Sequence, residues 1–206
     1  MVRTIAALIA FGLLTVSAAA QPSFGVKAGL ALTDQDFDYR DFDVDFDSRT
    51  GVQVGLFADF AFNDYLRVSP EVRYVPVGVK TKVIVTEPEY PEGTGERTIK
   101  SRIDYLSMPV VVKIGYPAEK FFPYLIVGPR VDFQLGTDGD WFAAIYEDLD
   151  KVAFGLTVGG GVEIPLSPKY RLLAEFSYSP DLNKVYENDL LSVKNKTMSF
   201  LAGVRF

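Results

Sequence analysis

The chain has 206 residues, 48% of them hydrophobic and 23% charged, with a net charge of −6. That length allows one sizeable domain or two small ones, while the lack of cysteine excludes a disulfide scaffold and a thiolate metal site. The lack of histidine removes the commonest general base and the commonest zinc ligand, and the negative balance argues against nucleic acid as a partner.

Residues 1–20 read as a cleaved secretory signal peptide: Arg3 near the start, an unbroken apolar run from Ile5 to Leu14, and Ala18 and Ala20 before Gln21. A membrane-anchor helix needs about 18 or more apolar residues, more than this run supplies. Residues 21–206 then form one domain, with no linker and no later stretch apolar enough for a spanning helix.

From Ser23 onward, segments of period-two alternation follow one another. Apolar side chains occupy the even positions of 24–32, 52–62, 66–76, 106–116, 152–164, 170–178 and 198–206, and the odd positions of 123–135. Eight strands result, most close to the 9–11 residues with which a tilted strand crosses a bilayer. The expected fold is all-β, an eight-stranded antiparallel up-and-down transmembrane β-barrel. A turn of helix is expected only within WFAAIYEDLDK, residues 141–151.

The connections alternate in length. Asn63-Asp64, 117–121 and 165–169 are tight, whereas 33–49, 77–103, 136–150 and 180–195 are long and polar. In an up-and-down barrel the two kinds lie at opposite ends, and outer-membrane barrels keep short turns in the periplasm and long loops outside. The first long connection holds DQDFDYRDFDVDFD, residues 34–47, whose aromatics Phe37 and Tyr39 change parity after Arg40 to Phe42, Val44 and Phe46. A parity change at a polar pair predicts a hairpin tip.

None of the apolar-face positions is charged, whereas the opposite face carries Lys27, Asp59, Arg67, Glu71, Arg73, Lys113, Arg130, Asp132, Glu163, Arg171, Glu175 and Arg205, interspersed with glycine and serine. These twelve are expected in the lumen as a mutually neutralising charge network, which leaves no room for a pore in so narrow a barrel. The alternative is a secreted, soluble lipocalin-like barrel with its hydrophobes inside, carrying a small apolar ligand. Against it stand aromatics toward the ends of the apolar faces, Phe24, Phe62, Tyr74, Tyr116, Tyr170, Tyr178 and Phe206, where lipid-interface girdles belong. Pro70, Pro109 and Pro129 fall in mid-strand and predict local bulges or shifted pairing.

Six segments in order, GVKAGL (25–30), SPEVRY (69–74), YLSMPVVVKIGY (105–116), PYLIVGP (123–129), GLTVGGGVEI (155–164) and FLAGVRF (200–206), together resemble the PorT-type outer-membrane β-barrel family of Bacteroidetes and relatives. The resemblance implies a small barrel of the OmpA and OmpX kind in the outer membrane of a Gram-negative bacterium. It also implies that terminal Phe206, with apolar residues at alternate positions behind it, serves as the signal read by the outer-membrane assembly machinery. The family's namesake is linked to secretion across the outer membrane, so an accessory place in a secretion system is a second alternative; no motif here ties the chain to it.

Outer-membrane barrel enzymes, the lipid A deacylases, palmitoyl transferases, phospholipases and omptin proteases, generally rely on a histidine, and this chain has none. Glu71 and Glu175 stand among arginines that would hold them ionised as structural partners. No enzyme activity and no cofactor are therefore expected. Asp41, Asp43, Asp45 and Asp47 are weak candidates for calcium, since the segment lacks the glycine and closing glutamate of a calcium loop. A structural or binding role, such as adhesion to an extracellular ligand or partner through the outer loops, is the remaining expectation, with Trp141 either in contact with that partner or at the lipid interface.

Overall fold

The computed structural model of the chain describes residues 22–39, 47–86, 94–138, 151–183, 186–187 and 191–206. The segment 1–20, the tip at Arg40, Asp41, Asp43, Asp45 and the stretch 141–150 lie outside the described residues, and of Asp47 only the backbone is described.

The strands are β1 (Ser23–Tyr39), β2 (Asp47–Ala61), β3 (Leu66–Thr86), β4 (Thr94–Gly115), β5 (Phe122–Asp138), β6 (Val152–Pro165), β7 (Arg171–Pro180), the two-residue β8 (Tyr186–Glu187) and β9 (Leu191–Arg205). Each pairs antiparallel with its neighbour in sequence from β1 to β7, β7 pairs with β9, and β9 returns to β1. Eight strands thus close a barrel, with β8 flanking β9 beyond its rim. The closing seam runs without a break from Gly25↔Arg205 to Tyr39↔Leu191.

Alternation decides which face is which. The exposed large hydrophobics include Val26, Leu30, Val54, Leu56, Val72, Ile114, Leu125, Val127, Leu172 and Phe200, with Leu125 69% exposed and Leu56 62%, and they belong to the charge-free set. Phe24, Phe62, Tyr116, Tyr170 and Phe206 are exposed where the strands meet the tight turns, forming one aromatic girdle. This is the reverse of a soluble carrier, whose hydrophobes face in. The turns themselves are held by side chains: Asn63 Oδ1 accepts from the backbone of Tyr65 (2.9 Å) and Leu66 (2.8 Å), and Ser167 Oγ accepts from Tyr170 N (3.2 Å).

Three expectations are corrected. The strands are longer than a bilayer crossing, up to 22 residues in β4, because ladder pairing continues above the membrane where no lipid face demands alternation. The acidic segment does not fold back as a simple β1–β2 hairpin: Asp34 to Tyr39 pair with β9, while Asp47 and Ser48 pair with Lys80 and Val79 of β3. Finally, the registers on either side of Pro70, Pro109 and Pro129 are unshifted. One lost donor per proline is absorbed by the ladder on both sides. Pairing shifts instead near Pro76, between Ser48 and Val54 on the β2 side and at Asp104/Tyr105, next to its β4 partner Asp104.

Two hydrophobic clusters fill parts of the interior, Val111, Phe122, Tyr124 and Ile126 toward the tight-turn end, and Ala31, Val75, Val77, Ile103, Tyr105 and Ala153 toward the loop end. Glycine makes room for both rings and backbone. A Cβ on Gly115 would lie 2.3 Å from the Phe122 ring, and one on Gly29, at the closing seam, 1.9 Å from the Phe200 carbonyl oxygen. The second clash is with backbone of the neighbouring strand and has no flexible way out. Gly29→Ala is expected to cost about 1–3 kcal/mol of stability, the range for overpacking, measured by denaturant unfolding in micelles; wild-type stability would show that the seam has slack.

Candidate functional site

Narrow closure puts the inward side chains within reach of one another across the barrel, and the twelve predicted charges are placed by all eight of its strands. All but Arg171 and Arg205 are buried, and each of the twelve makes at least one ion pair.

They form layers. Next to the tight turns, Glu163 receives three arginines: Arg67 Nη1 donates to both of its oxygens (3.1 and 3.0 Å), Arg205 Nη2 stands at 3.2 Å and Arg171 Nη1 at 3.9 Å. Arg67 also covers the Phe122 ring at 4.1 Å. Deeper in, Lys113 Nζ lies 2.9 Å from Asp59 Oδ1, with both side chains fully buried. The contact is Coulombic rather than a well-aligned hydrogen bond, since neither the ammonium nor the carboxylate meets hydrogen-bond geometry. Lys113 faces the Phe57 ring at 4.5 Å instead.

At mid-barrel two cations alternate with two carboxylates. Lys27 Nζ donates to Glu71 Oε1 (2.9 Å) and Glu175 Oε1 (2.7 Å); Arg73 Nε donates to Glu71 Oε2 (2.6 Å) and Nη2 reaches Glu175 Oε1 (3.5 Å). Tyr124 donates its hydroxyl to Glu175 Oε2 at 3.2 Å. Toward the loops, Arg130 binds Asp132 (Nε to Oδ2, 2.9 Å), the carbonyl of Ser179 (Nη1, 3.2 Å) and the carboxylate of Asp181. Asp181 Oδ2 accepts in turn from Asn195 Nδ2 at 3.0 Å.

Sequence reasoning missed Asp181, Asn195, Tyr124 and Phe57. Asp181 follows Pro180 in a stretch that reads as loop, and it is held by its bridge to Gly155 and by hydrogen bonds with Asn195. Tyr124 and Phe57 sit at inward positions whose aromatic character was visible, but alternation alone cannot say that an inward ring stacks against a buried cation.

On the outward side the apolar belt ends sharply at the loop end. Arg102 donates to Asp104 (2.6 Å) and to the Tyr74 hydroxyl, and the Asp104 hydrogen bond first, then that of Tyr74, raises the guanidinium pKa above its ordinary value. Charges on this face mark where water begins. Phe206 lies at the other end, exposed, with backbone hydrogen bonds to Phe24 in both directions (3.1 and 2.8 Å).

A closed eight-stranded barrel with an apolar exterior, an aromatic girdle and a salt-bridged interior is a membrane-spanning construction. The family model described as "Outer membrane protein beta-barrel domain" matches residues 6–206. The chain belongs to that family. Among solved structures it is similar to the outer membrane protein OprG from Pseudomonas aeruginosa (14% identity, 91% of this chain and 97% of that one, TM-score 0.48). Neisserial surface protein A is similar at 18% identity, over 90% of this chain and 97% of that one, with a TM-score of 0.47. Ail, the attachment invasion locus protein of Yersinia pestis, is similar at 15% identity, over 90% and 99%, with a TM-score of 0.41. These likenesses concern the fold alone. No curated protein matches the chain in sequence. As an outer membrane β-barrel it turns its tight connections to the periplasm and its long loops outward.

The mid-barrel set gives a direct test of the interior. Glu175→Ala leaves Lys27 and Arg73 to share Glu71, and an uncompensated buried charge costs about 3–5 kcal/mol. Unfolding in micelles is expected to show that loss, and the double change Lys27→Met with Glu175→Gln is expected to lose less than the sum of the singles. Strict additivity would mean that the two groups do not interact.

Proposed function

We propose that this protein is a non-catalytic outer-membrane barrel that works by binding, through structure it raises above the membrane. The observation that carries this reading is the outer part of the sheet. β3 and β4 stay paired from Arg102 up to Thr86↔Thr94, whereas β2 leaves β3 at Asp47↔Lys80 and β5 leaves β4 at Arg102↔Asp138. Among the described residues, Thr81–Thr86 and Thr94–Ser101 therefore have a ladder partner on one side only. β1 and β9 likewise remain paired beyond Thr33 up to Tyr39↔Leu191, with two residues of β8 alongside among the described residues. Strand edges with free N–H and C=O groups are templates for a further strand from another chain.

Catalysis finds little support: the sequence has no histidine and the lumenal carboxylates are held in ion pairs. Since one fold hosts many functions, the reading rests on these residues and not on the barrel. Within the family, the six motifs quoted above support a PorT-type member. Its export would use a signal peptide at residues 1–20, and its insertion the assembly machinery acting on the strand that ends in Phe206. Nothing in the residues favours a place in a secretion system.

Deleting Thr81–Ile99 and joining the ends through Asn-Gly should leave the barrel folded, seen as a faster-running unboiled band on a detergent gel. Cells displaying the shortened form at equal surface density are expected to lose attachment to wells coated with extracellular-matrix protein. Attachment equal to that of the intact form, with the barrel folded, would overturn the binding role of this ribbon.

A further inference from the structure

The two outer edges of the β3–β4 ribbon differ in charge. On the β3 side, Thr81–Thr86 holds a single charged residue, Lys82. On the β4 side, Thr94–Ser101, with the sequence TGERTIKS, holds Glu96, Arg97 and Lys100. The two strands pair with each other on their shared side, and β5 joins β4 only from Arg102↔Asp138 downward. Among the described residues, the other side of 94–101 therefore has no ladder partner, and its backbone donors and acceptors are open to a further strand.

An edge that carries an acid and a base at this spacing can match itself. When two copies of one strand pair antiparallel about a two-fold axis, residues directly opposite must turn the same backbone edge to each other, so the axis passes through a residue and not between two. Two such registers use all but one residue of Thr94–Ser101. Centred on Arg97, the pairing sets that residue against its own copy. Centred on Thr98, it sets Gly95 against Ser101, Arg97 against Ile99 and Glu96 against Lys100, and symmetry makes the last pair occur twice. Opposite charges directly across an antiparallel pair stabilise it and like charges weaken it. The Thr98 register is the one that the sequence favours.

The membrane decides where the second copy stands. β4 runs from the outer ribbon down to the tight-turn end, so in two molecules of one membrane it points the same way, and antiparallel pairing of β4 with β4 is excluded. That pairing becomes available when the copies face each other from opposed membranes, ribbon beside ribbon. Within one membrane, β3 of one copy could meet β4 of the next. Lys82 is then the one charge that the β3 edge brings, and it offers a single ion pair where the two-fold contact offers two.

We propose that Gly95–Ser101 of β4 is a homotypic contact, the edge by which a molecule on one cell pairs antiparallel with a second copy on another. The proposal rests on the reading of the ribbon as a binding element and supplies its partner. A single contact of this kind is small, but many copies in each outer membrane engage together, and linked contacts gain an avidity that one alone lacks. Each edge is used up by one partner in such an isologous contact, so it closes as a pair and does not grow into a fibre.

The test uses cells that display the full chain at equal surface density, with each variant shown to be folded by its faster-running unboiled band. Wild-type cells are expected to clump in suspension. Glu96→Lys and Lys100→Glu are each expected to lose that clumping, because each sets like charges opposite one another in the self-pairing. Red-labelled Glu96→Lys cells mixed with green-labelled Lys100→Glu cells are expected to clump again, with both colours in every clump, since the two changes together restore opposite charges at both positions. Single variants that clump like the wild type, or a mixture that stays dispersed, would overturn the homotypic contact. Dispersed wild-type cells would overturn it as well. If those cells still attach to matrix-coated wells and lose that attachment on deletion of Thr81–Ile99, the ribbon stands as a binder of a different partner.

Discussion

Closure of the sheet is the constraint on which everything else in this molecule depends. In hydrocarbon there is no water to receive an unpaired N–H or C=O, so a spanning sheet must bond its first strand to its last. Here that bond is the β1–β9 seam, continuous from Gly25↔Arg205 to Tyr39↔Leu191. Small residues sit where the seam is tightest. At Gly203 a Cβ would meet the Val26 carbonyl at 2.3 Å, and at Gly29 the Phe200 carbonyl stands even closer. Closing after eight strands leaves a narrow lumen that side chains largely fill. Because alternation has committed one face of every strand to lipid, the filling is drawn from the other face, and much of it is polar.

A polar filling in a narrow, largely dry space is stable only if its charges pair. The pairing has a direction along the barrel. Three arginines around Glu163 give the periplasmic end an excess of positive charge, and two of them, Arg171 and Arg205, are partly exposed, so water screens that excess. Mid-barrel is balanced by alternation of Lys27 and Arg73 with Glu71 and Glu175. The outer cluster has the opposite imbalance in a more enclosed setting. The rings of Phe57, Phe122 and Tyr124 lie beside Lys113, Arg67 and the Glu175 carboxylate, so the apolar part of the filling serves the charges as well as the packing.

The parts of this arrangement that alternation controls were legible in the sequence. Period two assigns each residue to a face, and the charge-free face from Phe24 to Phe206, with aromatics toward the strand ends, pointed to the lipid side of a closed sheet rather than to the inside of a carrier. The inward position of Lys113 or Glu163 follows from the same parity. Who pairs with whom does not, because partners such as Lys27 and Glu175 are 148 residues apart and meet only through the curvature of the barrel. Strand length above the membrane was largely hidden, since pairing there is carried by backbone; the alternation of Phe37 and Tyr39 in the outer part of β1 was legible, but not that it pairs with β9. Prolines misled for a related reason: Pro70 and Pro109 look like breaks, yet the ladders around them hold the register, whereas Pro76, at the end of the apolar pattern, coincides with the shifts.

The filled lumen also limits how the outer ribbons can act. Moving a signal or a solute through the barrel would require separating several ion pairs at once, and removing one partner of such a pair costs about 3–5 kcal/mol. The events at the loops are therefore mechanically insulated from the periplasm by the Glu163, Glu175 and Arg130 layers beneath them. What the barrel offers the ribbons is a stiff base: β3 and β4 enter the membrane already in register with each other, and below the shifts near Pro76 they hold one register with β2 and β5. Their outer halves continue upward as one paired ribbon. Recognition by such a surface depends on the edges and side chains presented above the Arg102–Asp104 boundary, and the apolar belt and charged plug below determine only that they are presented from the membrane at all.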